Sequence, residues 1–446
     1  VNMRDLPAIK IKDYACEDAD ITWQLKTVFE PLLKEESLFS LFQEIEMPLV
    51  SVLAKMEREG INLDLGSLRI FSEELESLVK EIQDEIFDVA ETEFNISSPK
   101  QLGEVLFEHL KIDDKAKKTK TGQYSTSEEV LSKLKNKHPI VEKVLTFRSL
   151  QKLRSTYVDA LPDLINPNTQ RIHTSFNQAV AATGRLSSNN PNLQNIPIRT
   201  ERGREVRKAF IPRDDKHILL AADYSQVELR LIAEMSKDPV MVEAFKQGID
   251  IHAATASKVF GVPLKDVTKE MRSNAKTVNF GIIYGVSAFG LSQQSSLSRK
   301  EAAEIIKNYF ATYPKLKEYM DANIAFAREH GYVKTIMNRK RRLKDINSRN
   351  GVVRGHAERN AINAPIQGSA ADIIKLAMIK IQAEMDVLGL QSKMLLQVHD
   401  ELVFDVLKTE LPMLKKLIKE TMEGVLDSTV PLIVDLDVGK SWLDAH

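Results

Sequence analysis

Strand-like runs in this chain are few and lie far apart, and long helical stretches separate them with no βαβ alternation. Residues 217–225 read as a buried strand that ends in Asp223, followed by a helix with Val227, Leu231 and Ala233 on its apolar side. Residues 395–406 read as two strands meeting at a polar turn, and 431–438 as a last strand after a helix over 409–427. Helices dominate 239–330 and 356–388, and 171–176 alternates like a further strand. This order does not suit a doubly wound parallel sheet, and it predicts an α+β fold with an antiparallel sheet.

The N-terminal third, 20–160, reads as long helices, with Leu68, Phe71, Leu75, Leu78, Ile82 and Ile86 recurring at helical spacing as core or helix-pair packing. The pattern breaks around 111–127, where Lys115, Lys117, Lys118 and Lys120 sit with Gly122 and no apolar period. That segment is either a solvated tip or a phosphate-contacting one. The 446 residues suit two to four domains at roughly 100–200 residues each. With 43% hydrophobic and 28% charged residues, disorder and a coiled-coil rod are excluded. No apolar run approaches the roughly 18 residues of a membrane span, so no membrane is expected. The start has no signal-peptide core, and it begins with Val, as a fragment or processed product would. One cysteine, Cys16, excludes an internal disulfide, and scattered histidines argue against a zinc cluster; a reducing compartment is expected. The 62 basic and 63 acidic residues balance, so only local charge can point to a polyanion partner.

Two strand ends carry carboxylates: Asp223 after Leu219-Leu220-Ala221-Ala222, and Asp400 with Glu401 in the turn between the strands of 395–406. If those strands are neighbours, the carboxylates converge, and repelling carboxylates call for a divalent cation with oxygen ligands, Mg²⁺ or Mn²⁺. Two such cations bridged by carboxylates move phosphoryl groups. Taken alone, each aspartate reads first as structural, Asp223 as a cap of the helix that follows. A second feature is helical. Arg272, Lys276, Phe280 and Tyr284 recur at four-residue spacing on one face, beside an apolar stripe of Met271, Ala275, Val278 and Ile282. Cations bind phosphates and aromatic rings stack on bases, so a nucleoside triphosphate could lie along this face; a solvated charged face explains the cations but not two exposed rings. There is no GxGxxG after a strand, and the nearest P-loop mimic, 285–292, has Leu291 where a lysine is needed.

These residues resemble the motifs of family A DNA polymerases. Asp223-Tyr224-Ser225-Gln226-Val227-Glu228-Leu229-Arg230 is similar to motif A, Arg272-x3-Lys276-x3-Phe280-Gly281-x2-Tyr284-Gly285 to motif B, and Gln397-Val398-His399-Asp400-Glu401 to motif C. Thr183-Gly184-Arg185-Leu186-Ser187-Ser188, Pro191-Asn192-Leu193-Gln194-Asn195-Ile196-Pro197 and the stretch from Asn363 to Asp372 match too, and the likeness runs in order over about 30–446.

The resemblance implies a right-hand fold with a helical thumb (29–150), an antiparallel-sheet palm (151–235 and 370–446) and helical fingers (236–369), after the C-terminal remnant of a 3′–5′ exonuclease domain (1–28). It implies a template-directed polymerase adding dNTPs to a primer 3′-hydroxyl in DNA replication and repair. Asp223, Asp400 and the Tyr224 carbonyl would hold two Mg²⁺, with Mn²⁺ as a substitute and Glu401 as an auxiliary acid. Arg272, Lys276 and His252 would bind the triphosphate, with Lys276 placed to protonate pyrophosphate. Phe280 would stack on the incoming base, and Glu228 with Tyr284 would exclude a 2′-hydroxyl, beside Gln226. Arg185, Asn192, Gln194, Asn195, Arg359, Asn363, Gln367 and His399 would line primer and template, and Lys117 and Lys118 would grip the duplex. The basic knot 339–342 would face either the template or solvent. Tyr14-Ala15-Cys16-Glu17-Asp18-Ala19-Asp20 resembles the last exonuclease motif, but without its partner carboxylates Asp18 is expected to be structural or idle, and this chain not to proofread. A monomer in a bacterial cytoplasm, on the nucleoid, is expected. Two other readings stay open: a single-subunit RNA polymerase, which Glu228 beside Tyr284 argues against, and a non-catalytic DNA-binding subunit, which the retained Asp223, Asp400, Arg272 and Lys276 argue against.

Overall fold

A computed structural model describes residues 3–119, 121–198, 200–295 and 297–446. The strands at 217–224, 393–398, 401–407 and 434–439 form one antiparallel sheet in the order Val434–Gly439, His217–Tyr224, Glu401–Leu407, Lys393–Val398. The two inner strands are buried along almost their whole length. That is why they read as continuous apolar runs rather than alternating ones. Leu411–Glu423 packs on the edge strand Val434–Gly439, Met47–Glu59 packs on the opposite edge, and the long helix Gly351–Val387 lies against both. The α+β expectation with an antiparallel sheet holds.

In the N-terminal part, Leu65–Ala90 packs against Pro139–Leu153. Leu68, Phe71, Leu75 and Ile86 are buried as their spacing predicts, joined by Val79 and Ala90, while Leu78 and Ile82 are half-buried. Ala8–Glu35 buries none of its residues, and Asp18 is exposed on it. A second helical group runs from Val227–Ser236 through Ile251–Phe260, Lys269–Ile283 and Arg299–Thr312 to Pro314–His330. Among the described residues no helix is long and apolar enough to cross a membrane.

One local expectation changes. The strand-like run 171–176 yields only isolated bridges from Ile172 to Ile61 and Ile165, then the short strand Ser175–Asn177. The segment around Lys117 forms an exposed turn: Lys118 bridges to Tyr124, the Ser125 N–H donates to the Lys117 carbonyl at 3.1 Å, and Gly122 turns the chain with φ 80°. Lys120 lies outside the described residues. The divisions drawn at 28, 150 and 369 fall inside Ala8–Glu35, Pro139–Leu153 and Gly351–Val387, so continuous helices run across them.

Candidate active site

Asp223 is the penultimate residue of His217–Tyr224 and pairs in register with Glu401, the first residue of Glu401–Leu407. His399 and Asp400 make the turn before that strand, His399 with a left-handed φ of 56°. The Tyr224 N–H donates to the Asp400 carbonyl at 3.2 Å. The sheet therefore brings Asp223, Asp400 and Glu401 to one end, as the strand-neighbour argument required. Burial, followed by the charges of Glu401 and Asp400, pushes the Asp223 carboxyl up to about 7. Burial also raises Asp400, with only Arg185 opposing. Among the described residues neither carboxylate has a hydrogen-bonded or ion-paired partner. Asp223 does not act as a helix cap: the helix Val227–Ser236 starts after Gln226, which is left-handed and makes no side-chain cap.

Glu401 differs from these two. Its buried carboxylate accepts the Trp442 indole N–H at 2.9 Å and lies 3.6 Å from both Arg207 and His446. Arg207 is itself buried, with its guanidinium 4.1 Å over the Trp442 ring. Glu401 is thus engaged by the C-terminal segment. Neither Arg207 nor Trp442 could have been found from sequence, because each lies far along the chain from motif C. The Tyr224 side chain also leaves the site, its hydroxyl donating to the Met422 carbonyl at 2.8 Å, so only its backbone is available there.

A third carboxylate joins two other elements. Buried Glu228 accepts from Arg185 Nη2 at 2.6 Å and from the Tyr284 hydroxyl at 2.8 Å. Burial raises the Glu228 pKa against the pull of Tyr284 and Arg185. Burial and that carboxylate keep Tyr284 protonated. The loop carrying Arg185 turns at Gly184, φ 84°, where an added Cβ would stand 2.5 Å from Arg339 Nε.

Thr268 caps Lys269–Ile283, accepting the Met271 N–H at 3.1 Å. Ala275, Val278 and Ile282 are buried, while Arg272 and Lys276 are exposed. Arg272 Nε donates to Asp250 at 2.6 Å, and Asp250 in turn caps Ile251–Phe260. Phe280 and Tyr284 lie near-parallel, centroids 6.5 Å apart, but they are half-buried rather than exposed, because Phe280 also packs on His252 at 5.7 Å. His252 is buried, and desolvation, helped by Arg272 and Lys276, lowers its pKa to about 4.

The residues expected along primer and template are distributed around this site. Asn192 caps the turn Leu193–Asn195, the Asn195 carbonyl accepts from Tyr157, and Gln194 bonds Gln397 at 3.0 Å beside the exposed His399. Arg359, Asn363 and Gln367 share one face of Gly351–Val387 at four-residue spacing. Arg359 lies over Gly285, and Asn363 Oδ1 is buried without a partner. Lys117 and Lys118 are exposed, and Lys118 sits 4.4 Å over the Tyr124 ring and 3.8 Å from Glu108. The knot 339–342 is divided: Arg342 is exposed, whereas Arg339 is not. Arg339 turns inward onto Asp372 and Glu46, Lys375 joins Glu46 at 2.9 Å, and Lys340 and Arg342 pair with Glu36. Arg339 is thus taken up by Asp372 and Glu46.

Among the described residues no three or more His, Cys, Asp or Glu side chains are grouped to hold a metal ion. The available donors are two carboxylates and backbone oxygen. Hard oxygen donors left without a cation of the protein's own fit a divalent ion that keeps waters or substrate phosphates as its remaining ligands.

The comparisons with known proteins agree with this layout. The model of DNA polymerase family A matches residues 66–444. DNA polymerase I of Geobacillus stearothermophilus is 47% identical over 435 residues, covering 98% of this chain and 49% of that protein. DNA polymerase I of Caldicellulosiruptor bescii is 48% identical over 423 residues, covering 94% and 49%. The chain spans about half the length of these relatives. The polymerase domain of Pol1 from M. smegmatis, solved with DNA primer-template and dNTP, superposes with a TM-score of 0.87 at 43% identity, covering 93% of this chain and 73% of that one. A sheet end with two unpaired aspartates, a cation-bearing helix beside it and a family match over most of the length lead to one conclusion: the chain belongs to DNA polymerase family A.

Proposed function

We propose that the chain is a DNA-directed DNA polymerase that joins dNTPs to a primer 3′-hydroxyl by nucleotidyl transfer on a template, serving replication and repair. The observation that carries this reading is the pair Asp223 and Asp400, brought to one sheet end and, among the described residues, making no ion pair or side-chain hydrogen bond. The complex of the M. smegmatis relative with primer-template and dNTP supports the substrate class.

Asp223, Asp400 and the Tyr224 carbonyl would hold Mg²⁺ or Mn²⁺. When bound, such ions favour the ionised primer hydroxyl and neutralise charge on the triphosphate. Arg272 and Lys276 bind the phosphates from the exposed face of their helix, and Lys276, free of an ion-pair partner among the described residues, donates a proton to the leaving pyrophosphate. The Phe280 ring stacks on the base. Glu228 holds the Tyr284 hydroxyl against the sugar, where the pair leaves no room for a 2′-oxygen. Arg185, tied to the same Glu228, couples the primer side to that wall. In this reading 29–150 is the thumb, 236–369 the fingers, and 151–235 with 370–446 the palm.

Primer extension with separate dNTP and rNTP mixtures tests the proposal. Extension with dNTPs and not rNTPs, lost in Asp223→Ala and Asp400→Ala while duplex binding persists, is expected. Equal use of rNTPs would favour an RNA polymerase, and binding without extension a non-catalytic subunit.

A further inference from the structure

Four buried polar side chains form one line beneath Lys269–Ile283. The Tyr313 hydroxyl lies 3.0 Å from Thr255 Oγ1, Thr255 Oγ1 donates to Asn279 Oδ1 at 3.2 Å, and Asn279 Nδ2 meets His252 Nδ1 at 3.0 Å. None of the four is more than 2% exposed. A hydroxyl has one hydrogen, so a Thr255 that donates to Asn279 must accept from Tyr313. In this arrangement the Asn279 amide stands with its oxygen toward Thr255 and its NH₂ toward His252. The His252 Nδ1 is then an acceptor, and the ring hydrogen sits on Nε2.

We propose that Asn279, oriented by Thr255 and Tyr313, is a positioning residue that fixes His252 as the Nε2–H tautomer, so that His252 meets the incoming triphosphate as a neutral hydrogen-bond donor. The proposal deepens the nucleotide-binding reading of His252 and rests on it. The charged groups facing His252 are Asp250 on its own helix and Arg272 and Lys276 on the helix above. Asp250 is already occupied by Arg272 and by the helix N-terminus it caps. A third cation beside Arg272 and Lys276 is disfavoured, so the ring that receives the nucleotide is neutral, and a neutral ring donates from one nitrogen. Which nitrogen it is depends on the buried line, and not on the nucleotide.

The test uses the whole chain labelled with ¹⁵N-histidine. At neutral pH the His252 resonances, assigned by their loss in His252→Gln, are expected to show a protonated Nε2 and an unprotonated Nδ1. In Asn279→Asp the carboxylate can only accept, so the hydrogen moves to Nδ1. The KM for dNTP should then rise roughly tenfold at about pH 8 and recover toward about pH 6 as the ring gains a second proton, with kcat little changed. The wild-type KM should be flat over that range. Thr255→Val, which keeps the volume and removes the donor that orients the amide, should give mixed tautomers and a smaller KM rise. A wild-type ring protonated on Nδ1 would overturn the proposal. So would a KM rise in Asn279→Asp that is the same at every pH, because that is what simple loss of structure gives. An unchanged KM in His252→Ala would instead overturn the triphosphate contact, while the nitrogen resonances still decide the tautomer.

Discussion

Glu228 shows how much one buried carboxylate can hold. It is the shared acceptor for Arg185, on a loop near the sheet, and Tyr284, at the end of the cation-bearing helix. Glu228→Ala leaves both donors without their partner, and it opens space beside the Tyr284 hydroxyl. The expected outcome is higher ribonucleotide incorporation in single-nucleotide kinetics, with a loss of about 1–3 kcal/mol in stability by melting. Glu228→Gln keeps an acceptor for the Tyr284 hydroxyl and should leave sugar selection nearer wild type. An unmoved dNTP/rNTP preference in Glu228→Ala would falsify the sugar-wall role.

At the scale of elements, the hairpin made by Tyr332–Lys334 and Lys340–Arg342 staples three distant parts of the chain. Arg339 pairs with Asp372 on Gly351–Val387 and with Glu46 beside Met47–Glu59, and it fills the space over Gly184 in the Arg185 loop. Asp372 is fully buried and accepts the Thr335 hydroxyl at 2.6 Å on its other oxygen. Arg339→Ala strands that carboxylate and should cost about 3–5 kcal/mol, whereas Arg342→Ala, at an exposed pair, should change melting by no more than about 0.5 kcal/mol. Equal effects of the two would mean that the network is not closed in solution. The hairpin-like turn at Lys117 and Lys118 presents its cations differently, with Lys118 steadied by Tyr124 but exposed. Replacing both lysines with alanine should flatten the salt dependence of duplex binding by about 0.9 in logarithmic slope per lost phosphate contact. An unchanged slope returns that turn to solvent.

For the whole molecule, two groups near the site act on stability with opposite signs. Asp223 has a raised folded pKa of about 7, so between the unfolded value of about 3.9 and that point the folded state holds a proton that the unfolded state has released. Its contribution is therefore lost as pH rises through about 7. His252 is lowered to about 4, so the unfolded chain binds a proton that the folded chain refuses, and stability falls as pH drops below about 6.5. In wild type the two trends partly cancel. Metal-free Asp223→Asn removes one of them, and its melting advantage over wild type should grow from about pH 4 to about pH 7 and then level. Added Mg²⁺ should raise the wild-type melting temperature and leave Asp223→Asn unmoved. A variant that responds to Mg²⁺ as wild type does would place the cation elsewhere.

The sequence by itself pointed to the fold class, since strand runs without βαβ rhythm favour antiparallel pairing, and it located Asp223 and Asp400, since a carboxylate ending an apolar strand is a local signal. The helical face of Arg272, Lys276, Phe280 and Tyr284 was equally legible, because helix periodicity is local. Tertiary structure decided what those side chains meet. Sequence spacing showed two exposed rings on that face, whereas His252, about twenty-eight residues before Phe280, packs beneath it and leaves the ring half-buried. A run of four cations at 339–342 reads as a surface patch until Glu46 and Asp372 draw Arg339 inward and Glu36, just past Ala8–Glu35, pairs with Lys340 and Arg342. Glu401 reads as one more carboxylate of the metal end until Arg207 and Trp442 engage it. In each case the pattern along the chain fixes what a residue can do, and pairing between residues tens to hundreds of positions apart, which leaves no periodic trace, fixes which of those options remains.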